Sequence, residues 1–293
     1  MGQSPGGGIV DVSPATLAAL RHNDEPHPWL FSLVLPEIGG GRLTESDLAS
    51  VDVPPSATAL RISGLDQASF EALVSRLGSR FSAIEFWKCP RVADLSPLED
   101  LPQLRLVSFY WNQRATRLWD LRKTPKLSGL QFDDFTRLHN LVDLATASSL
   151  VELEFGDAIW DTSVFDSLAP LSALTGLRSL KLSAKKITDG RIEPLAALQQ
   201  LTSLSFASNQ FTTEQVAWLR AHLPDSLHSE ALEPLRRFSP PLRGEHKELD
   251  VLLVGKRKPF LNSVEDQARI HKHVAQYEAM VTRFRNDPSL VPG

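Results

Sequence analysis

The chain has 293 residues, 42% of them hydrophobic and 23% charged, with a formal net charge of −4. That is the composition of a folded protein with enough apolar mass for a sizeable core, and so small a charge gives no global field for nucleic acid or an anionic membrane. Cys89 is the only cysteine, which excludes an intramolecular disulfide and fits a reducing compartment.

Met1 to Gly8 is rich in Gly, with Gln, Ser and Pro, and lacks the basic and apolar regions of a secretory signal. Gly6 follows Gly2 where a myristoylation motif needs Ser or Thr. No apolar run approaches the roughly 18 residues of a membrane span. The expectation is a cytoplasmic protein without a membrane partner.

From residue 30 onward, apolar-x-x-apolar-x-apolar recurs as Leu30/Leu33/Leu35, Ala57/Leu60/Ile62, Phe81/Ile84/Phe86, Leu104/Val107/Phe109, Leu127/Leu130/Phe132, Leu150/Leu153/Phe155, Leu177/Leu180/Leu182 and Leu201/Leu204/Phe206. Successive first positions lie 27, 24, 23, 23, 23, 27 and 24 residues apart. The alternating residues predict a short strand with one face inward, and stacking such strands in parallel buries a continuous apolar ladder. Phe86, Phe109, Phe132 and Phe155 should form a phenylalanine spine.

The chain must return between strands along a convex side. Val92 to Leu101 has apolar residues at every third position, which suits 3-10 turns. Residues 42–51, 188–198 and 212–223 read instead as helices, with Thr, Ser or Asp near their starts.

With this period the sequence resembles bacterial leucine-rich-repeat proteins, and its 3-10 units are similar to those of internalins. Asn112 and Asn209 occupy the position where that family places an Asn bonded to the turn backbone, and Cys89 fits the Cys variant. Leu65, Phe135, Ala158 and Lys185 depart from it. The resemblance implies an α/β leucine-rich-repeat solenoid over residues 30–224: a curved parallel sheet on the concave side, helices and 3-10 turns on the convex side.

Residues 1–29 are expected to give a flexible start and an N-terminal cap, formed by 9–29. Residues 225–293 should form a C-terminal capping region. Within it, Ser226 to His246 with its Pro-Pro pair reads as a loop, and Leu249/Leu252/Val254 as a last strand of the stack. A helix follows over Ser263 to Arg285, with Asn262 and Glu265 spaced as a capping box.

Residues between the inward positions face the concave surface. They bring out Glu85, Trp87, Ser108, Tyr110, Asp133, Glu152 and Glu154, with Trp111, Asp134, Asp157 and Trp160 at the rim. Aromatic rings beside carboxylates suit a protein interface, and the acidic stretch from Leu127 to Leu168, with Arg137 as its one Arg, predicts a partner with a basic surface. Lys256, Arg257 and Lys258 read as a solvated turn rather than a phosphate grip, since acidic residues flank them.

No catalytic or cofactor motif emerges. Gly255-Lys256 is followed by Arg257 where a phosphate loop needs Ser or Thr, and Gly39-Gly40-Gly41 reads as the turn of an enlarged first repeat. His271 and His273 point to opposite sides of a helix, unlike a metal-binding i, i+4 pair. Some bacterial leucine-rich-repeat effectors carry a ligase domain with a catalytic cysteine after the repeats; here no cysteine follows Cys89. The expectation is a non-enzymatic binding module without cofactor, metal or nucleic-acid partner, serving as a bacterial immunity or regulatory protein. The alternatives are a secreted effector acting in a host cell and a structural scaffold.

Overall fold

The computed structural model describes residues 13–21, 27–244 and 248–293; the readings at Gly2, Gly6 and the start of the N-terminal cap lie outside the described residues. Eight strands pair in parallel in chain order: β1 (Leu30–Leu33), β2 (Ala59–Ile62), β3 (Ala83–Trp87), β4 (Leu106–Asn112), β5 (Gly129–Phe135), β6 (Glu152–Gly156), β7 (Ser179–Ser183) and β8 (Ser203–Phe206). Leu60, Ile84, Val107, Leu130, Leu153, Leu180 and Leu204 stand opposite one another, as do Ile62, Phe86, Phe109, Phe132, Phe155, Leu182 and Phe206. All of them are buried. The chain is an α/β leucine-rich-repeat solenoid, and the sequence period sets its register.

The phenylalanine spine stacks in two pairs, Phe86 on Phe109 at 4.5 Å between centroids and Phe132 on Phe155 at 5.3 Å. Phe135 meets Phe109 and Phe132 edge-on and joins the pairs. A ring thus stands where the family's Asn would be.

The first unit is registered differently from its sequence pattern. Phe31 and Leu33, rather than Leu33 and Leu35, oppose Leu60 and Ile62. A two-residue slip keeps the same strand face inward, so the pattern alone does not separate the registers. The glycine triplet forms the tight turn that follows. Gly40 has φ +85°, and a Cβ there would lie 2.4 Å from the Lys88 carbonyl oxygen.

Asn112 is buried and donates to the carbonyls of Cys89 (3.2 Å) and Val92 (2.8 Å) while accepting from the amides of Arg114 and Ala115. Asn209 does not take this part. A hydrogen-bonded turn from Ala207 to Gln210 leaves it exposed, and the buried Gln210 accepts from the Ala184 amide instead. Burial pushes the Cys89 thiol up to about 12. Native protein at pH 8 should therefore resist iodoacetamide while the denatured chain reacts fully; stoichiometric alkylation of the folded chain would contradict this burial.

The convex side holds α2 (Glu45–Ala49), α3 (Gln67–Leu77), α4 (Thr213–His222) and 3-10 turns such as Ser96–Asp100 and Val142–Thr146. The helix expected over 188–198 is instead a 3-10 turn, Glu193–Ala197. Ile192, Leu195 and Leu198 are buried at every third position and Pro194 sits at its start, a spacing that fits three residues per turn. Helix α3 was not anticipated. Asp66 and Ser69 cap it reciprocally, and Phe70, Leu73 and Val74 are its buried face.

The C-terminal region departs most from expectation. Residues 226–246 are not one loop: β9 (Leu235–Arg243) pairs antiparallel with β10 (Glu248–Leu253), which pairs antiparallel with β11 (Phe260–Leu261). The expected last strand therefore belongs to a separate three-stranded sheet, because alternation fixes which face is buried and not the direction of the partner. Pro240 and Pro241 fall within the register irregularity between Arg237 and Leu242, where a ladder donor is dispensable.

Helix α5 (Gln267–Asn286) closes the stack against α4 and buries Ile270, His273, Tyr277, Val281 and Phe284. Asn262 accepts from the Val264 and Glu265 amides, and its own amide donates to the Asp266 carboxylate, one residue beyond the expected partner. Among the described residues no helix is long and apolar enough to cross a membrane.

Candidate functional site

The concave face is three rows of side chains running across the strands. The first holds Ala59, Ala83, Leu106, Gly129, Glu152 and Ser179; the second Arg61, Glu85, Ser108, Gln131, Glu154 and Lys181; the third Trp87, Tyr110, Asp133, Gly156 and Ser183.

The first row is covered by the chain itself. Helix α1 (Leu17–Arg21) lies across β3, β4 and β5, with Leu17 and Leu20 buried against Ala59, Ala83 and Leu106. Small residues make the space: a Cβ on Gly129 would meet Leu17 at 3.1 Å. The Glu152 carboxylate accepts from the Leu17 amide at 3.0 Å, and the Arg61 guanidinium donates to the Leu20 and Arg21 carbonyls. The described part of the expected N-terminal cap is thus on the concave face.

Burying one leucine is worth about 2 kcal/mol. Leu20→Asp should therefore release α1, and trypsin cleavage after Arg21 should accelerate roughly tenfold or more. An unchanged cleavage rate would argue against the docking.

The second row is a neutralised ladder. Arg61 pairs with Glu85 at 2.6 Å, Arg21 pairs with Glu154 at 2.7 Å, and Lys181 also pairs with Glu154. Ser108 donates to Gln131 at 2.6 Å, and Gln131 donates onward to Asp133. Burial raises the Glu85 carboxyl against the pull of Arg61. At Glu154 burial also opposes ionisation, but the bonds and charges of Lys181 and Arg21 together hold the carboxyl below its usual range.

The third row remains open. Trp87 and Tyr110 are partly exposed and stack at 4.2 Å with 12° between their planes. Next along the row, Asp133 is only 5% exposed, and among the described residues its one hydrogen bond comes from Gln131. Burial pushes its carboxyl up to about 7; the Gln131 bond opposes this, the Glu154 charge adds to it, and the charges of Lys181 and Arg21 oppose it more weakly. These residues line a cavity of about 550 Å³ together with Glu85, Glu154, Asp157, Lys181, Arg21 and Arg236.

At the rim, the buried Asp134 accepts from the amides of Ala158, Ile159 and Trp160. Asp157 accepts from those of Thr162 and Ser163. The two carboxylates shape a loop that leaves Ile159 and Trp160 exposed. Trp111 and Asp134 both have left-handed backbone, φ +64° and +55°, one residue before the ends of their strands. Lys256, Arg257 and Lys258 are exposed beyond this loop.

The structure therefore gathers Glu85, Trp87, Ser108, Tyr110, Asp133, Glu154 and Asp157 around one cavity, places Glu152 under α1, and puts Trp111 and Asp134 one residue before the ends of their strands. Sequence reading had missed Arg61, Gln131 and Lys181, although their place between inward positions was available to it. Among the described residues no group of His, Cys, Asp and Glu is arranged to hold a metal.

No family profile and no curated protein sequence matches the chain. Among solved structures it is similar to a leucine-rich-repeat protein of Leptospira interrogans, at 14% identity over 58% of this chain and 43% of that one, with a TM-score of 0.44. It is also similar to a chain of the Drosophila Toll–Spatzle complex (18% identity, 63% and 24% coverage, TM-score 0.46) and to one of the TLR13–ssRNA13 complex (14%, 60% and 32%, 0.36). The chain spans less than half the length of each.

Proposed function

We propose that the chain is a non-enzymatic protein-interaction module that holds a protein partner with a basic surface on the open part of its concave face. The observation that carries the reading is the partly exposed Trp87–Tyr110 stack beside the buried Asp133, on a row of the concave face away from the one that α1 covers. Interfaces concentrate binding energy in such aromatic anchors and take orientation from adjoining charge.

The remaining residues divide the work. Glu85, Ser108 and Glu154 fix the floor through their ladder bonds, Glu152 anchors α1, and Asp134 and Asp157 hold the loop that exposes Trp160. The partner class we favour is one bound and sequestered by a bacterial, internalin-like, cytoplasmic immunity or regulatory protein. The 3-10 returns and the single buried cysteine support that setting.

Affinity capture from native lysate compares the intact chain with Trp87→Ala/Tyr110→Ala/Asp133→Lys. Loss of two aromatic anchors and reversal of the central charge should weaken retention by on the order of a hundredfold. Equal retention by both would move the binding surface elsewhere, with the C-terminal cap the next candidate.

A further inference from the structure

The third row of the concave face contains a step. Adjacent strands stand about 4.8 Å apart, close to the separation at which flat groups stack, and Trp87 and Tyr110 use that spacing at 4.2 Å. The next place in the stack is held by Asp133, opposite Tyr110 in register. Its side chain is short and carries no ring, so the stack stops and the cavity begins there. On the far side stands Gly156, with no side chain to fill the space.

The charges of the cavity are unevenly matched. Glu85 has Arg61, Glu154 has both Arg21 and Lys181, and Arg236 is within 3.4 Å of Glu230. Among the described residues Asp133 makes no ion pair, although Arg21 and Lys181, both bound to Glu154, attract its charge, and its single hydrogen bond, from Gln131 to Oδ2, leaves Oδ1 without a donor. A largely buried carboxyl with one donor is costly to ionise, and a further donor arriving from the cavity would lower that cost.

We propose that this step is a slot for one arginine side chain of the protein partner, its guanidinium lying on the free face of Tyr110 as the third layer of the stack and donating to Asp133 Oδ1. A guanidinium is flat, weakly hydrated and rich in donors, so it can stack and bond at once; a lysine ammonium makes the bond without the stack. The proposal deepens the interaction reading and rests on it.

The test uses the full chain and three probes: N-acetyl-arginine amide, N-acetyl-lysine amide and the neutral N-acetyl-citrulline amide. Binding is followed by the indole NMR signal of Trp87, assigned with Trp87→Phe. Saturable shifts are expected with the arginine probe, weaker binding with lysine and none with citrulline. Asp133→Asn, which keeps the shape, should weaken the arginine probe roughly tenfold or more, and Tyr110→Leu should erase its preference over lysine. Equal binding of citrulline, the same affinity in Asp133→Asn, or no saturable shift up to the solubility of the arginine probe would overturn the slot. If the slot fails in this way while partner capture still depends on Trp87 and Tyr110, the concave-face reading stands and only the identity of the bound group is lost.

Discussion

Asp133→Asn should make the protein more stable at neutral pH. A carboxyl held at about 7 by burial in the fold, against roughly 3.9 in an unfolded chain, binds its proton more tightly when folded. Its contribution therefore falls as pH rises from about 4 to about 7 and stays low above that. The full cost is on the order of 2–4 kcal/mol, and the isosteric amide removes it while keeping an acceptor for Gln131. Urea melts of both proteins at pH 5 and pH 8 should show an advantage for the variant that is larger at pH 8. A variant less stable at pH 8 would refute this view of the site.

The same linkage governs ligand binding. A cation needs the ionised carboxyl, so the arginine probe should bind about tenfold more weakly for each pH unit below about 7. Tyr110, Gln131, Glu154, Lys181, Arg21, Arg236 and Asp157 also face this group or its cavity, and the Asp133→Asn comparison separates its titration from theirs. A carboxylate kept at a cost to stability is what a binding site requires, since functional sites collect such perturbed groups.

Gly156→Ala should be among the most damaging single changes. Gly156 has φ +118°, and a Cβ there would lie 1.5 Å from the Ser183 carbonyl oxygen, which itself accepts from the Asp157 amide. The clash is with backbone, so relief means parting β6 from β7 at their C-terminal ends. A loss of about 3 kcal/mol or more is expected from the left-handed conformation and the overlap together. Gly176→Ala, where nothing lies within 4 Å of the added carbon, should stay within roughly 0.5 kcal/mol. A neutral Gly156→Ala in urea melts would contradict the strand packing described above.

The parallel ladder was legible because every repeat writes the same two inward residues, and Leu60 through Leu204 fall into register on that basis alone. Local chemistry also marked α4 through Thr212 near its start. Helix α3 carries an equally good signal in Asp66, Ser69, Phe70, Leu73 and Val74, which lies between two repeats of the strand pattern. The antiparallel pairing of β9 with β10 was not legible, because a strand's alternation does not name its neighbour. Nor was the docking of α1. Leu17 and Leu20 become meaningful only once Ala59, Ala83 and Gly129 are seen as one row of missing side chains. Of the site, reading between the inward residues found the aromatics and acids; what it lacked was the neutralisation of Glu85 and Glu154 by Arg61, Arg21 and Lys181, against which Asp133 makes no ion pair of its own.

The most direct measurement is photo-crosslinking in native lysate with benzoylphenylalanine placed at Tyr110 on the concave face or at Arg76, exposed on convex α3. The account predicts one discrete crosslinked protein from position 110, absent from position 76 and competed away by unlabelled chain. The same protein crosslinking from position 76 and not from position 110 would contradict a concave binding face.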